Sequence, residues 1–170
     1  MSASPAFRQD FSPEGNPRAF RDALGRFATG VTLVTCNAPE AGLLGFAANS
    51  FAAVSLDPAL VLWSPARASS RFDHFAKAEH YSIHVLADHQ HDLIARFMRG
   101  GAGFDGMDFT RSAEGVPQIA GVLARFDCRQ HATHDGGDHL IVVGQVLRVA
   151  YDEGAPLLFS QGRYGHFHSA

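Results

Sequence analysis

Residues 45–63 read GFAANSFAAVSLDPALVLW, a hydrophobic frame whose first half is filled with alanines, two serines and an asparagine. In an extended chain successive side chains point to opposite faces. Asn49, Phe51, Ala53 and Ser55 would then share one face, with Ser50, Ala52, Val54 and Leu56 on the other. Two readings of the small residues stay open. One is a sheet packed tightly against a helix, with Ser and Asn satisfying backbone groups at strand ends. The other is a ligand held close to the backbone, because short donors and acceptors suit a flat, amide-rich ring or a phosphate.

Working outward, the β-branched run Val31–Cys36 predicts a strand and NAPEAG a turn, and Asp57-Pro58 precedes a strand running to Trp63. On the N-terminal side, NPRAFRDALGRFATG predicts a helix. Asn16 is its N-cap, Pro17 its first residue, Phe20, Leu24 and Phe27 its apolar stripe, and Gly30 its stop. RASSRFDHFAKAEH predicts a short helix capped by Ser69 or Ser70, Tyr81–Ala87 a strand, and Asp88 the cap of a further helix. Residues 100–120 are rich in glycine and read as a long loop. Val122–His134 and Asp138–Tyr151 read as a long hairpin turning at Asp135-Gly136-Gly137, and APLLFSQGRYGHF as a last strand and tail. Six or more strands with three short helices and no βα alternation predict a mostly β, antiparallel barrel or sandwich. Residues 1–15 read as a loose arm and residues 16–170 as a single domain.

Composition narrows the function. With 14 Lys plus Arg against 17 Asp plus Glu and no basic cluster, nucleic acid is a poor partner. No run approaches the roughly 20 apolar residues of a membrane span, and the N-terminus has no signal-peptide core. Cys36 and Cys128 lie far apart in apolar runs, as buried free thiols would, and a reducing cytoplasm is the expected setting. Rossmann, P-loop, GxSxG and HExxH motifs are all absent from the sequence.

Two further constellations carry chemistry. In WSPARASSRF, Ser69 and Ser70 beside Arg67 and Arg71 suit a phosphate at a helix start, while ordinary capping explains the serines equally well. His131, His134, Asp135, Asp138 and His139 surround a hairpin turn. Their spacing fits no standard metal pattern, so no metal site is assigned, and Asp-Gly-Gly-Asp serves the turn. His139, first on the returning strand, is suited to carry a proton or a hydrogen bond at a cleft.

Together, GFAANSFAAVSLDPALVLW, YSIHVLADHQHDLIARF, GVLARFDCRQHATHDGGDHLIVVGQV and PLLFSQGRYG resemble the flavin reductase family. The resemblance runs from about Phe20 to Tyr164 and implies an FMN-binding split β-barrel, antiparallel and Greek-key-like. It further implies hydride transfer from NADH or NADPH to FMN or FAD, a homodimer, and a flavin monooxygenase that takes up the reduced flavin. By this resemblance Ala47, Ala48, Asn49 and Ser50 line the isoalloxazine edge, with Ser55 and Leu56 near the ribityl chain. Trp63, Ser64, Ser69, Ser70 and Phe72 lie toward the phosphate. Gly137, Asp138 and His139 form the family's G-D-H signature, with His139 beside the nicotinamide, and Arg163 and Tyr164 belong to a G-R-Y segment closing over the flavin. The chain departs from the family's usual run at Ala47, where Thr is common, at Ala59 in place of Pro, and at His84 in place of Asn. Trp63 is bulkier than the residue usual there. Rival readings are a tight FMN-binding electron carrier or sensor, and an oxidase of the pyridoxamine-phosphate type.

Overall fold

A computed structural model describes residue 7 and residues 9–98 and 100–168; the expected arm over residues 1–15 falls partly outside them. In chain order the elements are α1 (Pro17–Leu24), β1 (Thr29–Gly30), β2 (Thr32–Ala38), β3 (Gly42–Ala48), β4 (Ala52–Leu56), β5 (Ala59–Trp63), α2 (Phe72–Ala76) and β6 (His80–Val85). A single 3-10 turn (Asp88–Gln90) leads into α3 (His91–Met98). It is followed by β7 (Phe109–Arg111), β8 (Pro117–Ile119), β9 (Ala124–Gly136), β10 (His139–Tyr151), β11 (Leu157–Ser160) and β12 (Arg163–His166).

Seven strands form one antiparallel sheet in the order β3-β2-β6-β9-β10-β5-β4. Strands β3 and β4 occupy opposite edges, yet only residues 49–51 separate Ala48 from Ala52. Four Cα steps reach about 15 Å, whereas the edges of a flat seven-stranded sheet would lie about 29 Å apart. The sheet must therefore curl until its edges approach. Because β3 and β4 are not hydrogen-bonded to each other, the result is a barrel split along that seam.

Alternation then sorts the side chains. Val34, Cys36, Leu44, Val61, Trp63, Tyr81, Ile83 and Val142 fill the barrel with Phe75 of α2. On the outer face, Leu33 packs with Leu86, Ile94, Phe97, Phe104, Ile119 and Leu157 under α3. Strand β2 is buried on both faces as a consequence, and only Asn37 is exposed. Gly45 on β3 lets α3 approach: a Cβ there would stand 2.3 Å from the Phe97 ring.

Several expectations are corrected. The alternation through Asn49 and Phe51 does not hold, since the strand breaks at residues 49–51 and a bulge interrupts β4 between Ala53 and Ser55. Helix α1 starts as expected but ends at Leu24, because Thr29–Gly30 pairs with Leu158–Phe159. Its stripe faces solvent, with Phe20 45%, Leu24 59% and Phe27 78% exposed. Neither Ser69 nor Ser70 caps α2, where Arg71 holds the N-cap position. Asp88 caps no helix through its side chain; it begins the 3-10 turn, over which Gln90 accepts a hydrogen bond from the Ala87 amide at 3.0 Å. Residues 100–120 are not a bare loop: they hold the β7–β8 hairpin, and Phe104 is buried against Phe97. The last strand is a β11–β12 hairpin, because Gln161 and Gly162 both take positive φ and close a two-residue turn.

Candidate functional site at the seam corner

The three residues that cross the seam have little to bond with. Among the described residues, none of the amides of Asn49, Ser50 and Phe51 donates a hydrogen bond. Neighbouring groups hold the corner in shape: Thr32 Oγ1 donates to the Ala48 carbonyl at 2.8 Å. Ser50 Oγ accepts from the Ser64 amide at 2.9 Å and donates to the Ser64 carbonyl at 3.3 Å. Ser50 thus ties the seam to the end of β5 through its side chain. Asn49, Ala52 and Ala53 are exposed, so the corner lies open to solvent.

Beyond Ser64 the chain runs beside the tip of the β9–β10 hairpin. Leu140 N–H donates to the Pro65 carbonyl at 3.1 Å, Arg67 N–H donates to the Asp138 carbonyl at 2.9 Å, and Ala66 bridges to His139. Gly137, with φ 73°, makes the turn. His139 Nδ1 lies 2.7 Å from Asp138 Oδ1. The hydrogen bond and charge of that imidazole hold the exposed Asp138 carboxyl below its usual value. The pairing fixes the ring and leaves its other nitrogen free to face a ligand.

The arginines beside Ser69 and Ser70 are engaged by the protein's own carbonyls and carboxylate. Arg71 donates from one terminal nitrogen to the carbonyls of Gly45 at 2.8 Å and Phe97 at 2.5 Å, with its guanidinium 4.6 Å from the Phe46 ring centre. Burial lowers its pKa. Arg67 turns the other way, to Gly137 and Asp135. Both roles depend on carbonyls and turns remote in sequence, and composition carried no signal for them beyond the presence of charge next to a strand end.

Of the residues singled out by sequence, Ala48, Asn49, Ser50, Ser64, Gly137, Asp138 and His139 are joined through these contacts. Ser69, which accepts a hydrogen bond from the Arg71 amide, and Phe72, under the Arg67 guanidinium, stand next along the chain. Others lie apart. The Trp63 indole is fully buried among Phe46, Phe75 and Tyr81, at 5.4 to 6.1 Å between ring centres, so it belongs to the core. Ala47 packs on the α3 side of β3, so the common Thr is replaced on that side of the strand. Ser55 is half-buried on β4, and Leu56 is 97% exposed at its end. Ser70 touches a separate cavity of about 650 Å³ lined by Asp73, His74, Lys77 and Glu114. Arg163 and Tyr164 sit on β12, where Tyr164 packs against His91 at 4.6 Å and Phe159 at 5.2 Å. Among the described residues no His, Cys, Asp or Glu cluster has a metal-binding arrangement.

Unpaired amides at a flat open corner, small side chains and two serine hydroxyls fit a ring with polar edges and a phosphate tail. The fold defines a split-barrel protein with an uncovered corner at its seam. A family model described as "Flavin reductase like domain" matches residues 24–168. The chain is 57% identical over 158 residues to the FMN reductase (NADH) SmoA of Agrobacterium fabrum, covering 92% of this chain and 90% of that one. It is 41% identical to HsaB of Rhodococcus jostii, the reductase subunit of a flavin-dependent monooxygenase, over 88% of this chain and 77% of the other. The Streptomyces globisporus NADH:FAD oxidoreductase SgcE6, solved with NAD and FAD fragments, superposes with a TM-score of 0.87 at 31% identity, covering 94% and 97% of the two chains. The chain belongs to the flavin reductase family.

Proposed function

We propose that this protein is an NADH-dependent flavin reductase that takes FMN as its flavin and releases it reduced. The observation that carries the reading is that, among the described residues, Asn49, Ser50 and Phe51 donate no amide hydrogen bond at the open seam corner, while the Ser64–Arg67 segment bonded to Ser50 also pairs with the hairpin tip that holds Asp138 and His139. Bound flavin and reduced nicotinamide supply the hydride chemistry themselves. The chain's part is to bind and orient. The seam amides would hold the polar edge of the ring and stabilise negative charge that develops there. Ala48 and Ala53 leave room for the ring to approach the backbone, and Ser69 and Ser70 offer hydroxyls to the phosphate. His139, anchored through Nδ1, would present Nε2 to the nicotinamide carboxamide. The openness of the corner favours a flavin that exchanges over one held permanently, and the FMN and NADH preference follows the similarity to SmoA.

The bare corner further supports a homodimer in which a second copy supplies the missing wall. Val54 and Leu56 on β4, and Leu147, Val149 and Tyr151 at the end of β10 away from His139, are exposed apolar side chains that such a copy could cover. In that dimer Arg163 and Tyr164 would close over the partner's flavin, and residues 16–170 would act as one domain. Reduction of flavin for a separate monooxygenase is the expected cellular task, as for the reductase subunits among its relatives. No described helix is long and apolar enough to cross a membrane, and we assign the protein to the cytoplasm.

Steady-state oxidation of NADH and NADPH, each with FMN, FAD or riboflavin, tests the reading. Turnover fastest with NADH and FMN is expected. No turnover in any combination overturns it, and flavin retained through gel filtration with slow NADH consumption would point to an electron carrier instead.

A further inference from the structure

The end of the β9–β10 hairpin that carries His139 is poorly supported by its own sheet. Strand β5 pairs with β10 only over Val142–Gln145, so His139–Ile141 have β9 on one side and, on the other, just the segment at Pro65–Arg67. A strand end paired on one side only by so short a segment frays more easily than one inside a sheet. The Arg67 side chain reinforces this segment with two bonds to the β9 side of the turn. Its Nε donates to the Gly137 carbonyl at 2.9 Å, and a terminal nitrogen donates to Asp135 Oδ1 at 2.8 Å. Its guanidinium also lies over the Phe72 ring, 5.4 Å from the centre, which fixes the side chain from below.

We propose that Arg67 is a positioning residue for the nicotinamide: it locks the Gly137–His139 turn to the flavin-side segment so that the Asp138–His139 pair stands at a fixed distance from the ring. The proposal rests on the reductase reading. An exposed ion pair adds little to global stability, since both side chains are substantially solvated. The value of this one lies in geometry. A planar fork with donors along one edge can meet a carbonyl and a carboxylate at once, whereas a lysine ammonium is a single point on a flexible stem. The backbone bond from Arg67 N–H to Asp138 survives any substitution, so the variants isolate the side chain.

The test compares Arg67→Met, Arg67→Lys and Asp135→Asn with the wild type. For Arg67→Met the KM for NADH should rise about tenfold through loss of orientation, while the Kd for FMN and the Tm change little. Lysine should rescue poorly, and Asp135→Asn should fall between. Combined with His139→Ala, Arg67→Met should add nothing further to the NADH KM, as expected when one residue acts through the other. In the flavin-free protein, hydrogen exchange at the Leu140 amide should speed up in Arg67→Met. An unchanged NADH KM, additive effects with His139→Ala, or equal losses of flavin affinity and Tm would each overturn the role of Arg67. An active wild type with an indifferent Arg67→Met overturns this proposal alone, and an inactive wild type overturns the reductase reading with it.

Discussion

The two edges of the seven-stranded sheet are finished in opposite ways. Strand β3 is covered by its own chain: Gly45 N–H donates to the Gly101 carbonyl at 2.8 Å, Arg71 reaches the Gly45 carbonyl, and Phe97 of α3 fills the space a side chain would take. Strand β4 is bare, with Ala52, Ala53, Val54 and Leu56 all exposed. A naked strand edge is a pairing hazard unless something covers it. The difference teaches that one edge is finished by the fold of a single chain, while the other is left uncovered by it.

Four outcomes would sharpen or break that contrast. Gly45→Val should be the most damaging, costing about 3 kcal/mol or more, because the new Cβ meets a buried ring and the rest of α3 cannot yield. Urea unfolding measures it, and a near-wild-type midpoint would mean that the cover is loose.

The cover is also acid-sensitive. Fully buried His84 lies 2.9 Å from the Leu33 carbonyl through Nδ1 and accepts the Ile119 amide at Nε2, pinning β8 over the sheet. Desolvation lowers its pKa to about 4, below the value of about 6.5 for a free imidazole. The unfolded chain therefore binds the extra proton first. Stability from this group is complete above about pH 6.5, falls as the pH drops toward 4, and levels off below, a loss of roughly 3 kcal/mol at most. His84→Asn, which restores the residue common in the family, should flatten that limb in a series of thermal melts.

Arg71→Met should cost about 2 kcal/mol by leaving the Gly45 and Phe97 carbonyls without that donor. The expected companion effect is looser FMN binding, read by fluorescence titration, since Ser69 and Ser70 adjoin the clip. The smallest effect on folding should come from Leu56→Asp, under about 0.5 kcal/mol, because the side chain touches almost nothing in the monomer. Light scattering should nonetheless report a halved mass. A stable dimer carrying Leu56→Asp would show that β4 is not the contact.

The contrast also explains what the sequence could convey. Runs such as Val31–Cys36 and the long hairpin around Gly137 announce themselves, because β-branched alternation and a glycine turn act locally. The corner at Asn49 and Ser50 was legible as unusual chemistry. A strand or two broken by small residues over Leu43–Ser55 was legible as well; that the break carries the chain from one sheet edge to the other was not, since such a chain has the same alternation as one that continues. Thr29–Gly30 became a strand only because Leu158–Phe159 lies beside it, and the stripe on α1 follows helical period while facing solvent. Arg67 and Arg71 read as anion binders because charge is visible in sequence and the carbonyls they serve are not. Trp63 was placed toward the phosphate by its position along the chain, but its indole packs in a core whose other members come from β3, β6 and α2.

The sheet order bears on how the chain is made. Local hairpins β2–β3, β4–β5 and β9–β10 can form as they emerge, but β5 must wait for β10, whose pairing residues lie more than eighty positions later. Until β10 is available, Val61 has only β4 beside it and Trp63 has no partner strand, and the growing chain carries an open apolar sheet edge. High contact order of this kind slows folding. Chaperone dependence during synthesis should consequently be concentrated in nascent chains that stop short of β10.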